Sequence, residues 1–567
     1  MTRIELPREK TVQHLTLLRQ PRTISGKEFN ALSENERLTI ICNADNFQRF
    51  RLLVEANDGR ELIARLPAEE IFFLFKEVGQ EAIEELLPML KPDQFTACID
   101  LDSWKQAQFD GESAILWLEA LLEVDDDEAI LNTIREMDFE VLVLLIHRHV
   151  TILSGPEAYD DDESELEAAL SRNGGYNLSW NSERAAKTFG RLINILFNYD
   201  AGFYTYLMKA ARAETLSMLE ESVYTQRGDR LLDMGFPPPD EARTIHTWTD
   251  PTSFSVDERK RPMAGTHPEL AAPTFMLTTS APVGLLKTVL ATGLNEADNW
   301  ELAYLANKVL IADQVEIGEP KAMTLALTRL YSTLNLGLEY RCDGTDENPR
   351  DVFINTYFEH LFRLGYSLTL QLQRQAAKLA RSVIGPWFEP ADRALLAALQ
   401  RRPHPLYFSG LENPQTTGER DFSSLADYRR AAARLDELNG LVQLFAKRPP
   451  FSLPDTTSPG PTGCVPAKTE ITLSTLFLTA LANRVLGRNF NPEPIPALEL
   501  AGLHGKISRS GRIDSALRSE TVERMEALSS GGGAFASQCL DRLEVEFCSV
   551  DPRRLDPRYV GGLIIRL

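Results

Sequence analysis

Apolar positions recur along the chain with the three-to-four-residue spacing of helices, most densely between residues 61 and 149. Ile71, Phe72, Phe73, Leu74 and Phe75 are apolar almost all round, which predicts a helix buried between neighbours. Leu66-Pro67 places proline at the first turn of that helix, with Glu69 and Glu70 at the positive end of its dipole, and Gly79 ends it. Ile83, Leu86, Leu87 and Leu90 form the next face, and Pro92-Asp93 opens another element. Ile115, Leu118, Leu121 and Leu122 follow, then Ile130, Ile134 and Met137. Asp125 and Glu128 stand three apart, as in an aspartate-led capping box, and Asp138 is placed to cap the helix running through His149. Helices this short cannot bury their faces alone, so the pattern predicts that they stack into a superhelix.

The rest of the chain arranges itself around that stack. Residues 1–55 read as a helical arm and 56–153 as the stacked module. Residues 154–183, with an acidic run and Gly174-Gly175, read as a linker. Helical periodicity returns over 184–249, with Gly235 closing a helix and three prolines starting the next. A Pro/Thr/Ser-rich linker occupies 250–282, a helical domain 283–447, a Pro-rich loop 448–468 and a C-terminal helical unit 469–567. The tail, DPRYVGGLIIRL, ends in a short β-capable run. The predicted class is all-α with minor β near the C-terminus.

Charge changes the picture of the stacked module. The chain carries a net charge of −22, and from Glu55 to Glu167 there are 30 acidic and 7 basic residues, so this stretch alone holds −23 and the remainder +1. Such a field repels nucleic acid, whose phosphates each need a cation, and leaves basic protein surfaces and divalent cations as partners. The longest aliphatic run, Val141–Ile146, is far short of the roughly 20 residues a spanning helix needs, so no membrane insertion is expected. Pro7 and the acidic residues near the N-terminus leave no apolar block for a signal peptide. Six cysteines are scattered with no CxxC, as expected of free thiols in a reducing cytoplasm.

Candidate chemistry is sparse. GPTGCVPAKT, Gly460 to Thr469, lacks the glycine that a phosphate-binding loop needs before its lysine, so it is not one. His147 and His149 lie two apart, which on a helix points them away from each other and from any shared metal. The aspartate runs Asp125, Asp126, Asp127 and Asp160, Asp161, Asp162 could grip a hard cation such as magnesium in an exchangeable way. Arg227, Arg230 and Asp233, beside Gly228 and Gly235, form the most distinctive polar cluster and a possible docking site, the bland reading being a helix-terminal charge network. No catalytic residue and no bound cofactor is indicated.

Two resemblances extend this reading. The sequence around LPAEEI, GQEAIEELLPML and PDQF resembles the cytoplasmic superhelical domain of the magnesium transporter family usually called MgtE, over residues 58–150. That likeness implies a helical superhelix and, without the transporter's other domains, no transport. RGDRLLDMGFP, LANKVLIADQVEIGEPKAM and LFRLGYSLTLQLQRQAAKL look like an uncharacterised bacterial family, mainly deltaproteobacterial, over nearly the whole chain. The expected function is that of a soluble, non-catalytic interaction or regulatory protein whose acidic stack docks a partner with a basic surface. The alternatives are an enzyme or small-ligand binder with its site in residues 283–445, and a magnesium sensor.

Overall fold

The computed structural model describes residues 26–105, 107–154, 176–254, 260–261, 280–455, 463–529 and 531–567. It is 68% helix and 5% strand, so the chain is all-α with short accessory strands. Among the described residues no helix is long and apolar enough to cross a membrane. The chain divides into two compact units, Met1–Gly365 and Tyr366–Leu567.

In the first unit the leading helices are α1 (Glu34–Asn43), α2 (Asn46–Glu55), α3 (Ala68–Val78), α4 (Pro92–Asp102), α5 (Gly111–Leu122), α6 (Asp127–Glu136) and α7 (Phe139–His149). Four aspartates start helices here. Asp45, Asp110, Asp126 and Asp138 each accept a backbone N–H at the head of the following helix, which satisfies donors that the helix itself cannot. The cap of α6 is Asp126, not Asp125: its extended backbone sets the carboxylate over the amides of Glu128 and Ala129 at 3.1 and 3.0 Å. Gly79 ends α3 as expected.

Two features of this stretch are not helical. Trp104–Lys105 pairs with Gln108–Phe109 as a tight antiparallel ladder. Val150–Ser154 pairs with Asn177–Trp180, so part of the stretch 154–183, expected as a linker, is strand. Helices α8 (Glu183–Tyr199), α9 (Ala201–Ala213) and α10 (Leu216–Asp233) follow, and α10 packs along α7. Past Gly235, which ends α10 as predicted, come α11 (Glu296–Ala312), α12 (Pro320–Cys342) and α13 (Phe358–Ala380). Where α13 crosses α12, Gly337 lies against the Leu361 carbonyl and Gly365 against that of Thr333. The crossing is backbone on backbone.

The second unit is built from α14 (Pro390–Leu399), α15 (Leu425–Lys447), α16 (Leu473–Val485), α17 (Leu500–Ile507), α18 (Ser515–Leu528) and α19 (Gly532–Leu543). The β-capable tail takes the middle place in a three-stranded sheet. Ile565–Arg566 pairs antiparallel with Cys464–Val465 and parallel with Ile495–Pro496. The glycine run at 531–533 is more than a turn. Gly531 is left-handed (φ +85°), and a side chain at Gly532 would collide with the Met525 carbonyl, so α18 and α19 close to a tight hairpin only with glycine there.

Candidate functional site

In the second unit, residues of α14, α15, α16 and α19 line a cavity of about 310 Å³. Its polar side starts at Glu389, just before α14. One Glu389 oxygen accepts the Ser474 N–H at 3.2 Å, so a residue far away in sequence helps cap α16. Arg542, on α19, donates to the Ser474 hydroxyl at 2.8 Å and to the other Glu389 oxygen at 3.4 Å, and its Nε reaches Glu546 at 3.0 Å. Across the cavity Arg434 of α15 holds Asp392 of α14 by two parallel bonds of 2.7 and 2.8 Å and Glu437 by a third of 2.6 Å. Burial opposes the Arg434 charge, but the fork to Asp392 more than offsets it and holds the guanidinium above its ordinary value.

The remaining wall is apolar, with Phe388, Leu438, Leu441, Leu473 and Phe535 among its residues. Cys539 lies on the floor, 2% exposed. Burial pushes its thiol well above the ordinary value, and the Glu389 carboxylate adds to the push. It is a packed thiol rather than a thiolate nucleophile. The Ser474 hydroxyl is taken up by Arg542 and Thr472. Glu389, Asp392, Asp436 and Glu437 face Arg434 and Arg542, a net −2 in the lining. This geometry suits a small neutral or cationic molecule with an apolar body better than a phosphorylated one.

The first unit holds a second cavity, of about 270 Å³, at the heads of α3 and α4 and the end of α10. Two of the three residues singled out in the sequence, Arg230 and Asp233, line it. Arg230 grips both oxygens of the fully buried Asp100 at 2.6 and 3.0 Å and also bonds Asp138, tying α10 to α4 and to the head of α7. Arg227 donates to the Asp100 carbonyl at 2.8 Å and lies over the Trp104 ring at 5.4 Å. Both arginines are engaged within the unit. Of the first aspartate run, Asp125 and Asp126 are exposed, Asp126 is the α6 cap, and Asp127 lies 4.0 Å from Arg191. Asp160, Asp161 and Asp162 lie outside the described residues, as do Gly460, Pro461 and Thr462 of the GPTGCVPAKT segment. His149 is buried beside Phe189, its Nε2 3.1 Å from the Gly111 carbonyl, and burial lowers its pKa.

One protein family matches residues 26–566, described as "Family of unknown function (DUF6178)". The chain belongs to it. That agrees with the whole-chain resemblance to an uncharacterised family, whereas the likeness of residues 58–150 to the magnesium transporter domain finds no support. No curated protein matches the chain, and no solved structure does.

The residues of the larger cavity escaped the sequence because no motif joins them. Glu389, Arg434, Ser474 and Arg542 come from separate helices, and each is an ordinary polar residue in its own local pattern. Glu69 did leave a signal. At helical spacing it shares a face with Phe72 and Phe73, which foretells burial of its carboxyl rather than only a favourable dipole.

Proposed function

We propose that this chain is a small-molecule-binding protein with no catalytic machinery of its own, its ligand site being the cavity between α14, α15, α16 and α19. The observation that carries this reading is the convergence of two oriented guanidinium–carboxylate systems on a half-enclosed space with an apolar wall. Against catalysis stand a Cys539 thiol held protonated and a Ser474 hydroxyl with no general base bonded to it among the described residues. Part of the site falls within residues 283–445, where a ligand site was an alternative expectation, and part comes from helices beyond it.

The test is a ligand-observed NMR screen of neutral and cationic fragments against the full chain and its Leu441→Trp variant. Leu441 belongs to the wall and makes none of the ion pairs, so the indole should fill the space and leave the fold intact. Fragments that bind the parent chain should lose at least about tenfold in affinity in the variant, a difference of roughly 1.4 kcal/mol. Hits that bind L441W unchanged would place the site elsewhere.

A second reading keeps the acidic stretch as a docking surface for a basic partner. Glu77, Glu81, Glu84 and Glu85 are all exposed within a few residues of one another, which favours it. Affinity capture with the full chain should recover a basic protein that the E81K/E84K/E85K variant fails to recover. Equal recovery by both rules this reading out.

A further inference from the structure

The cavity in the first unit contains a carboxyl that the rest of the fold does not use. Glu69 is only 2% exposed, yet it lines this space, and its side chain has no hydrogen-bond or ion-pair partner among the described residues beyond its own backbone N–H. Its neighbour Glu70 differs in this respect. Glu70 is paired with the buried Arg49 at 2.6 Å, and that guanidinium also donates to the carbonyls of Ile41 and Cys42. Two adjacent buried carboxyls thus have opposite fates, one paired with a guanidinium inside the fold and one in the cavity lining with only its own backbone N–H.

The surroundings favour a cation. The one arginine among the described residues of the lining, Arg230, is committed to Asp100 and Asp138. From α4 the cavity receives Asp93 and Asp100, with Lys91 just before that helix, and from α10 it receives Arg230 and Asp233. With Glu69 ionised, four carboxylates meet two cations, a net −2. The head of α3 offers no anion site either, because the Glu69 carboxyl already takes its own amide there. Trp300, half-buried, and Met234 add an aromatic and an apolar wall.

We propose that this cavity binds a small primary ammonium compound with an apolar or aromatic body, anchored by the Glu69 carboxyl. The ammonium donates hydrogen bonds to the carboxylate, the body lies against Trp300 and Met234, and the carboxyl's proton leaves to solvent as the cation arrives. Burial, with Glu70 adding to it, pushes the Glu69 carboxyl up to about 8, so at neutral pH most of the empty protein carries that proton. Binding is therefore linked to proton release.

The sign of the pH effect follows. A raised carboxyl pKa stabilises the empty fold fully below about 4.5, and that contribution is lost as pH rises through about 8. A cation that binds the ionised form behaves in the opposite way. Its affinity should rise by up to about tenfold per pH unit while the carboxyl is mostly protonated, and level off above about pH 8.

Calorimetric titration of the full chain with phenethylammonium, against its uncharged analogue 2-phenylethanol, tests this. The expected result is saturable binding of the amine only, with up to about one proton released near neutral pH as read in buffers of different ionisation enthalpy. Glu69→Gln replaces a mostly neutral acid by a neutral amide of the same shape, so the fold should survive. That variant should lose the proton release and at least about tenfold of the affinity near pH 8. Ala68→Phe, which fills the cavity, should abolish binding, whereas Leu441→Trp in the other unit should leave it unchanged. The proposal is overturned if the alcohol binds as well as the amine, if E69Q binds with unchanged affinity and pH dependence, if binding follows L441W instead of A68F, or if no saturable heat is seen.

Discussion

Gly337→Ala and Gly365→Ala are each expected to destabilise the first unit by about 3 kcal/mol or more, at the upper end for overpacking. The sign is the informative part. Alanine in a helix interior is ordinarily better than glycine by about 1 kcal/mol, so a substitution for packing-neutral reasons would stabilise. At these two positions the new methyl group meets backbone. From Gly337 it runs into the Leu361 carbonyl, and from Gly365 into the Thr333 carbonyl, in both cases far inside the 3.0 Å that real Cβ contacts respect. Carbonyls within helices cannot swing aside, so α12 and α13 would have to part, and Leu334, Leu338, Leu361 and Phe362, all fully buried, would lose contact. Gly190 and Gly228, in α8 and α10, have nothing within 4 Å of a would-be Cβ and serve as controls. Alanine there should be neutral or stabilising in the same denaturant titration. Loss of stability at all four positions would refute the close crossing.

Arg49→Met is expected to cost about 3–5 kcal/mol, because it removes the buried guanidinium that pairs with the buried Glu70 carboxylate. Arg49 and Glu70 are exposed by only 1% and 3% at their side chains, and the guanidinium also satisfies the carbonyls of Ile41 and Cys42 at the end of α1. Truncating the arginine therefore removes the donor of three buried or part-buried hydrogen bonds at once. Pairing it with Glu70→Leu removes the buried carboxyl as well, and the double variant should recover a large part of the loss. Denaturant midpoints of the single and double variants decide this. If the double variant is no more stable than R49M, the ion pair is not what Arg49 contributes, and its bonds to the α1 carbonyls carry the effect.

The helices themselves were legible because their signals are local. The apolar run Ile71–Phe75 is buried along its length, Pro67 and Gly79 bound α3, Pro92 opens α4, Asp138 caps α7, and the tail forms a strand. The miss at Asp125 was one residue wide and came from spacing alone, since which aspartate of a run caps a helix depends on the backbone angles at the turn. The short ladders at 104–109 and 150–180 were not legible, because two-residue strands carry no alternation and the second ladder joins segments on either side of an acidic stretch.

The candidate sites were less legible still, for a physical reason. The larger cavity is built from residues contributed one or two at a time by α14, α15, α16 and α19, so only the packing of those helices brings them together. The concentration of negative charge was legible, but its meaning shifted. Asp45, Asp110, Asp126 and Asp138 head helices, and Asp100 anchors Arg230, so these five carboxylates are structural. Arg227 and Arg230, distinctive in sequence, are bound to Asp100 within the unit.

The central claim is that the second unit's cavity is a ligand site, and the most direct measurement is crystallographic. Crystals of the full chain would be soaked with neutral and cationic fragments, and the maps inspected between Leu441, Arg434 and Phe535. Fragments are expected to seat there, apolar bodies against the leucine wall and donors within hydrogen-bonding distance of Glu389, Asp392 or Glu437. Ordered water alone in that space in every soaked crystal, with fragments bound elsewhere, would contradict it.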